Sequence, residues 1–303
     1  MSSPAPHLAG ILPPITTPFD DRGALDLGAL AANVESYNEM ALTGYVAFGS
    51  NGEAVHLSSA ERRQVLATLR RCAAPGRVVV AGVHEQSTLA AIRATRQAAD
   101  AGADVALVIT PYFYQSAMSQ DVLQRFFVDV ADEAPLPLLV YNIPQNTGVA
   151  VSPQTLAQLA EHPNIIGVKD SSGNQGALSE VLRRTARDFV VLVGNAGILY
   201  PALMMGAAGG ILAVACVAPG ACLELVDRVR QGDHAGAREL QHRLAPLASL
   251  VTVELGIPGL KIACDLAGFQ GGVPRAPLLP LVGQRERIAR VMHESGFFEG
   301  SLS

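Results

Sequence analysis

Eight short apolar runs recur along the chain at intervals of roughly 20–35 residues, the spacing of strand–helix units. They are LAGILPPIT (8–16), GYVAFGS (44–50), RVVVAGV (77–83), VALVITP (105–111), LPLLVYNIP (136–144), IIGVKDSS (165–172), FVVLVGN (189–195) and GGILAVA (209–215). Helical patterns follow them. The segment 58–73 opens on a serine cap and carries Leu and Val at helical spacing. Segments 88–103, 121–134 and 153–162 read the same way. Strands that alternate with helices form a parallel sheet covered by helices.

Eight such units are the number that closes a (β/α)8 TIM barrel. The rival is an open doubly wound sheet. Its glycine-rich fingerprint is missing after the first run, which continues into PPITTPFDD instead. The predicted fold class is therefore α/β: a (β/α)8 barrel over 1–230, with a helical extension over 231–303 packed on it. Helices are expected at 234–250 and 284–295.

Composition narrows the function. Charged residues make up 16% of the chain, against about 25% in a typical soluble domain. The missing charge suggests an exterior covered by other subunits. The net charge of −5 supplies no basic field for nucleic acid. From Phe189 to Leu223 no residue is charged, long enough to span a bilayer. However, Asn195, Pro201, Gly209, Gly210 and Pro219 divide that run into strand, short helix and strand. The four cysteines (Cys72, Cys216, Cys222 and Cys264) have no zinc spacing. They read as buried, reduced thiols of a cytoplasmic protein. MSSPAPHLAG lacks the charged and apolar regions of a signal peptide.

In a barrel, catalytic groups come from the C-terminal ends of strands. The residues there are Gly49-Ser50-Asn51-Gly52-Glu53, His84, Thr110-Pro111-Tyr112-Phe113-Tyr114, Tyr141-Asn142, Lys169-Asp170-Ser171 and Gly194-Asn195. Lys169 stands out. The chain has two lysines, Lys169 and Lys261, and its other basic residues are arginine. Lysine at the end of IIGVK implies work that arginine cannot do. Arginine stays protonated, whereas a desolvated lysine loses its proton. A neutral amine attacks a carbonyl and forms a Schiff base, which stabilises a carbanion on the next carbon. The bland alternative is a strand-end lysine paired with a carboxylate.

Tyr141 is expected one strand away at matching height, where a phenol can shuttle protons. Its alternative is a core tyrosine with a satisfied hydroxyl. Ser50 is the expected relay. The Gly-flanked turn at Ser50-Asn51 exposes backbone N–H groups suited to a small carboxylate; otherwise it is a plain tight turn. Strand alternation points Asp170 away from the lysine. His84, His56 and Tyr114 read as packing or local hydrogen bonds. Tyr112 leans the same way but is kept, with Asn146, Ser171 and Asn195, among the expected substrate contacts.

GSNGE, the TP-Y-F-Y run, YNIPQNTG and GVKDSS stand in the order and spacing of the dihydrodipicolinate synthase/N-acetylneuraminate lyase family. The resemblance covers nearly the whole chain. It implies a (β/α)8 barrel with C-terminal helices, a dimer or homotetramer, and pyruvate held as a Schiff base with no separate cofactor or metal. By motif position, Lys169 forms the imine, Tyr141 is the general acid/base, Ser50 the hydroxyl relay, and the Ser50/Asn51 backbone binds the pyruvate carboxylate.

Two positions depart from the family's synthases. Their arginine for the aldehyde's carboxylate is Asn146 here, and the relay tyrosine from a partner subunit is Phe113. P-x-NTG, HPNIIGVKDS and LQHRL…GIPGLK…GG-x-x-RAPL resemble the 4-hydroxy-2-oxoglutarate aldolase branch instead. The expected reaction is cleavage of 4-hydroxy-2-oxoglutarate to pyruvate and glyoxylate. The alternatives are a dihydrodipicolinate synthase, an aldolase or dehydratase of 2-keto-3-deoxy sugar acids, or a pyruvate-binding barrel without turnover. The expected partners are a small keto acid and an aldehyde, not nucleic acid or membrane.

Overall fold

A computed structural model describes residues 7–298. Residues 1–6, which carry part of the signal-peptide expectation, and 299–303, the end of the expected extension, lie outside the described residues.

The eight expected strands form one parallel sheet: β1 (Gly10–Leu12), β2 (Gly44–Ala47), β3 (Val78–Val83), β4 (Val105–Ile109), β5 (Leu138–Asn142), β6 (Ile165–Asp170), β7 (Val190–Val193) and β8 (Gly209–Ile211). Their order is β1-β8-β7-β6-β5-β4-β3-β2. The ring closes between β1 and β2, where the N–H of Thr43 donates to Ile11 O and that of Val46 to Pro13 O, both at 3.0 Å. The structure is thus a (β/α)8 TIM barrel, as expected. β1 is shorter than the 8–16 run because Pro13 and Pro14 have no N–H for the ladder. β8 ends at Ile211, and 213–216 coils into a 3-10 turn.

The helices are α1 (Leu27–Asn38), α2 (Ser59–Cys72), α3 (Thr88–Asp100), α4 (Gln120–Glu133), α5 (Pro144–Thr147), α6 (Pro153–Leu159), α7 (Gln175–Arg184), α8 (Leu199–Met205), α9 (Pro219–Gln231), α10 (His234–Ala248), α11 (Gly256–Leu266) and α12 (Arg285–Ser295). Several start where a side chain takes up an orphan amide. Ser58 accepts from the N–H of Glu61 and donates its own N–H to the Glu61 carboxylate, a complete capping box. Ser87, Ser119 and Ser152 cap α3, α4 and α6.

Alternation along the strands separates two apolar layers. Leu12, Val46, Val80, Leu107, Leu139, Leu192 and Ile211 fill the barrel interior. Ile11, Val79, Val108, Val140 and Val168 pack outward against the helices. The uncharged run 189–223 divides into β7, α8, β8 and the start of α9, and among the described residues no helix is long and apolar enough to cross a membrane. None of the four cysteines is in a disulfide. Cys216, Cys222 and Cys264 are buried, as expected, but Cys72 is only half-buried at the end of α2.

Candidate active site

Lys169 and Tyr141 are direct partners across the ladder of β5 and β6. Because side chains alternate along a strand, both point into the mouth of the barrel. Both are buried, at 3% and 2% exposure. The Lys169 Nζ lies 4.2 Å from the centre of the Tyr141 ring. Among the described residues it has no carboxylate partner and no hydrogen bond, so the ion-pair alternative does not hold for it. Gly194, on the neighbouring strand end, makes the space: a Cβ there would lie 3.1 Å from Lys169 Cε and 1.9 Å from Ser171 Oγ.

The GSNGE turn completes this mouth. Ser50 Oγ lies 3.2 Å from the Tyr141 hydroxyl. Residues 50–52 form a 3-10 turn, and the first amides of such a turn have no partner within it. The turn lies between Phe48 and Glu53, which have positive φ angles of 59° and 53°. Non-glycine residues there store strain that the surroundings must hold. Gly82 helps by leaving room: a Cβ there would lie 2.0 Å from the Phe48 carbonyl oxygen.

Ser50, Asn51, Tyr141, Asn146, Lys169, Ser171 and Asn195 line one cavity of about 290 Å³. Asn195 Oδ1 accepts from the N–H of Gly197, and Gln145 Nε2 donates to the Ser171 carbonyl. Asp170 turns away, accepting from Asn142 Nδ2 and from Ser172. Tyr112 is not among the residues lining this cavity; it lines an adjoining one of about 290 Å³ with His56 and His84. The two cavities share Ser50 and Asn146. Gln86 Oε1 accepts from the N–H groups of both Tyr112 and Phe113, at 2.8 and 3.0 Å, and holds that loop. Phe113 and Tyr114 point outward, 73% and 71% exposed, in an edge-on pair.

His84 stands edge-on to the Tyr141 ring. Burial, with the nearby Lys169 charge adding to it, lowers its pKa to about 4 against the pull of the Phe48 carbonyl, so its imidazole is neutral at pH 7.

The sequence reading missed one wall. Ala248, Thr252 and Val253 line the lysine cavity from the end of α10 and the π-helical turn 249–254. They follow no strand, and the Thr252 hydroxyl donates to the Ala248 carbonyl of its own helix, so nothing at a strand end points to them. A larger cavity of about 600 Å³ opens at the N-terminal ends of β1 and β3. Its Arg70 and Arg77 are taken up by Asp104 and by the carbonyls of Leu42 and Met40.

Comparison with known proteins agrees with this arrangement. The model of the dihydrodipicolinate synthetase family matches residues 7–293. A 4-hydroxy-tetrahydrodipicolinate synthase from Methanothrix thermoacetophila is 38% identical over 282 residues, covering 93% of this chain and 94% of the relative. One from Exiguobacterium is 34% identical, covering 91% and 94%. Among solved structures, a putative dihydrodipicolinate synthase from Thermus thermophilus superposes with a TM-score of 0.84 at 37% identity, covering 95% of this chain and 99% of that one. YagE, a prophage protein of this family from E. coli K12 solved in complex with pyruvate, gives 0.89 at 28% identity, with 96% and 99% covered. The matched span includes the whole barrel and every residue of the lysine cavity, and the chain belongs to the dihydrodipicolinate synthetase family, enzymes of the Schiff-base aldolase type.

Proposed function

We propose that this enzyme captures pyruvate, or a 2-oxo acid that releases it, as an imine on Lys169 and makes or breaks the bond from pyruvate C3 to an aldehyde carbon. The observation that carries this reading is the pairing of a buried lysine free of carboxylates with Tyr141 and Ser50 at a barrel mouth. The solved complex of YagE with pyruvate supports the choice of keto acid.

In the cleavage direction the neutral Nζ adds to C2, the Tyr141 hydroxyl protonates the carbinolamine oxygen, and water leaves, giving the iminium and a Tyr141 phenolate. The Tyr141 oxygen takes the proton of the C4 hydroxyl, and Ser50 relays it. The C3–C4 bond breaks, its electron pair moves toward the iminium nitrogen, and the aldehyde departs. The enamine is protonated at C3, and water hydrolyses the imine to release pyruvate. The backbone of Ser50 and Asn51 holds the keto acid's carboxylate. Asn146, Ser171 and Asn195 face the rest of the substrate. Aldol addition runs the same steps in reverse; with aspartate semialdehyde the amino group of the bound product then adds to C2 and displaces the Lys169 nitrogen, which closes the ring.

The relatives carry the synthase name, which supports aspartate semialdehyde as the acceptor and 4-hydroxy-tetrahydrodipicolinate formation as the leading reaction. Cleavage of 4-hydroxy-2-oxoglutarate is the second reading. It is favoured by Asn146, which supplies no cation for the semialdehyde's carboxylate, and among the described residues lining the cavity there is no arginine. A homo-oligomer, dimer or tetramer, is part of the proposal. It is supported by the exposed Phe113–Tyr114 pair and the low charge content, and sedimentation tests it.

Borohydride reduction in the presence of pyruvate tests the chemistry. The expected result is a stable adduct on Lys169; an unmodified Lys169 overturns the reading. Pyruvate consumption with aspartate semialdehyde, glyoxylate or a neutral aldose then identifies the acceptor, and no turnover with any aldehyde leaves a pyruvate-binding barrel.

A further inference from the structure

The second lysine, Lys261, is far from the imine site in sequence and makes no contact with the cavity that holds Lys169. It lies on α11, in the helices that follow the barrel, and is 1% exposed. Its Nζ lies 2.7 Å from Glu53 Oε1 and donates to the carbonyls of Thr17 at 2.9 Å and Val273 at 2.7 Å. Three oxygens therefore converge on one ammonium, which has three N–H groups to give. The flat fork of an arginine does not match three acceptors meeting at a point. The backbone leaves no slack either, since a Cβ on Gly271 would lie 2.1 Å from the Lys261 carbonyl oxygen.

Glu53 is the last residue of GSNGE, and its backbone is one of the two left-handed non-glycine positions that bracket the turn. Its carboxylate is fully buried. Oε1 forms the ion pair with Lys261, while Oε2 accepts from the N–H of Arg275 at 2.9 Å and lies 3.1 Å from His56 Nδ1. The same brace reaches the turn a second way. Thr17, whose carbonyl Lys261 holds, donates its hydroxyl to the Gly52 carbonyl at 2.7 Å. Both routes end on the turn whose Ser50 faces Tyr141.

We propose that Lys261 is a positioning residue for the reaction: through Glu53 and Thr17 it fixes the Ser50–Asn51 turn at the height where it binds the keto acid's carboxylate and meets the Tyr141 hydroxyl. This inference rests on the function proposed above. It assigns the helical extension a part in substrate binding, because the pin that sets the turn comes from α11 and the segment 270–275.

Two variants and four readouts test it. Lys261→Met alone leaves the Glu53 carboxylate buried without its counter-charge, and it is expected to melt early. Glu53→Leu/Lys261→Met removes both charges together, the change a buried pair tolerates best. The double variant is expected to fold and to melt between Lys261→Met and the wild type, because no charge is left buried but the Thr17 and Val273 carbonyls and the Arg275 amide lose a partner. Its KM for pyruvate is expected to rise about tenfold to a hundredfold, the scale of a misplaced binding group. At saturating pyruvate, borohydride still labels Lys169. Hydrogen exchange at the amides of residues 50–53 is expected to quicken relative to the wild type. A folded double variant whose pyruvate KM and turn exchange both stay within about twofold of wild type overturns the proposal and leaves the pair purely structural. If wild-type protein traps no keto acid, the proposed function fails, and exchange at residues 50–53 by itself decides whether Lys261 holds the turn.

Discussion

Both lysines of this chain are buried, and they differ in what faces them. Lys261 looks onto a carboxylate and two carbonyls. Lys169 looks onto the face of Tyr141 and a cavity, with Gly194 keeping the space beside its chain clear. A buried charge with three oxygen partners is an anchor, because removing it strands the groups it satisfied. A buried amine with no acid beside it satisfies nothing in the fold, and its nitrogen is left available to a substrate carbonyl. The chain otherwise uses arginine, so lysine marks two places with opposite surroundings: the proposed nucleophile, open to a cavity, and an anchor held by three oxygens.

The sharpest way to break this contrast is to delete each lysine. Lys169→Ala is expected to lower kcat by roughly 10⁴-fold or more, as loss of a covalent nucleophile does. It is also expected to leave stability within about 1 kcal/mol, since no partner is orphaned. Assays of turnover and a thermal melt on the same preparation check both halves; an inactive and melted protein destroys the contrast. Lys261→Met is expected to do the reverse to the fold, costing about 3–5 kcal/mol in a denaturant titration because Glu53 remains buried and unpaired. A smaller effect is expected of Tyr141→Phe, a loss in kcat of about 10²–10⁴ with an unchanged melt. If that variant keeps full turnover, Tyr141 is only the packing surface under Lys169.

What was legible in the sequence follows the same division. The barrel could be read because buried parallel strands are continuous apolar runs, and a lysine or tyrosine ending such a run is conspicuous. The pairing of Lys169 with Tyr141 could be read because adjacent strands in a barrel are in register. Lys261 could be noticed as rare but not understood. Its partner Glu53 belongs to a strand-end turn at the other end of the chain, and only tertiary closure brings them together. The Thr252–Val253 wall was invisible because a helix lining a pocket with small and apolar side chains has the pattern of any packed helix. The place of Tyr112 in the adjoining pocket was not legible, because the sequence shows which strand a loop follows but not that Gln86 holds its amides.

His84 offers the finest reading of the contrast, because it feels one lysine and not the other. Its pKa is lowered from an ordinary 6.5 to about 4, first by burial and then by the charges of Lys169 and Arg62. The folded protein thus binds this proton less readily than the unfolded chain does. The stability His84 contributes is fully present above pH 6.5 and is lost as the pH falls toward 4, at up to about 1.4 kcal/mol per pH unit. In Lys169→Ala one secondary cause disappears while burial and the Arg62 charge remain. The His84 pKa is then expected to move up from about 4 while staying below 6.5, narrowing the pH window over which stability falls. In the charge-free pair Glu53→Leu/Lys261→Met it is expected to stay where it is. Following the His84 ring signals by NMR across pH 3–8 in the three proteins measures this directly. Equal pKa values in all three would mean that Lys169 carries no charge felt at the barrel mouth, and that the two buried lysines differ less in electrostatics than in their partners.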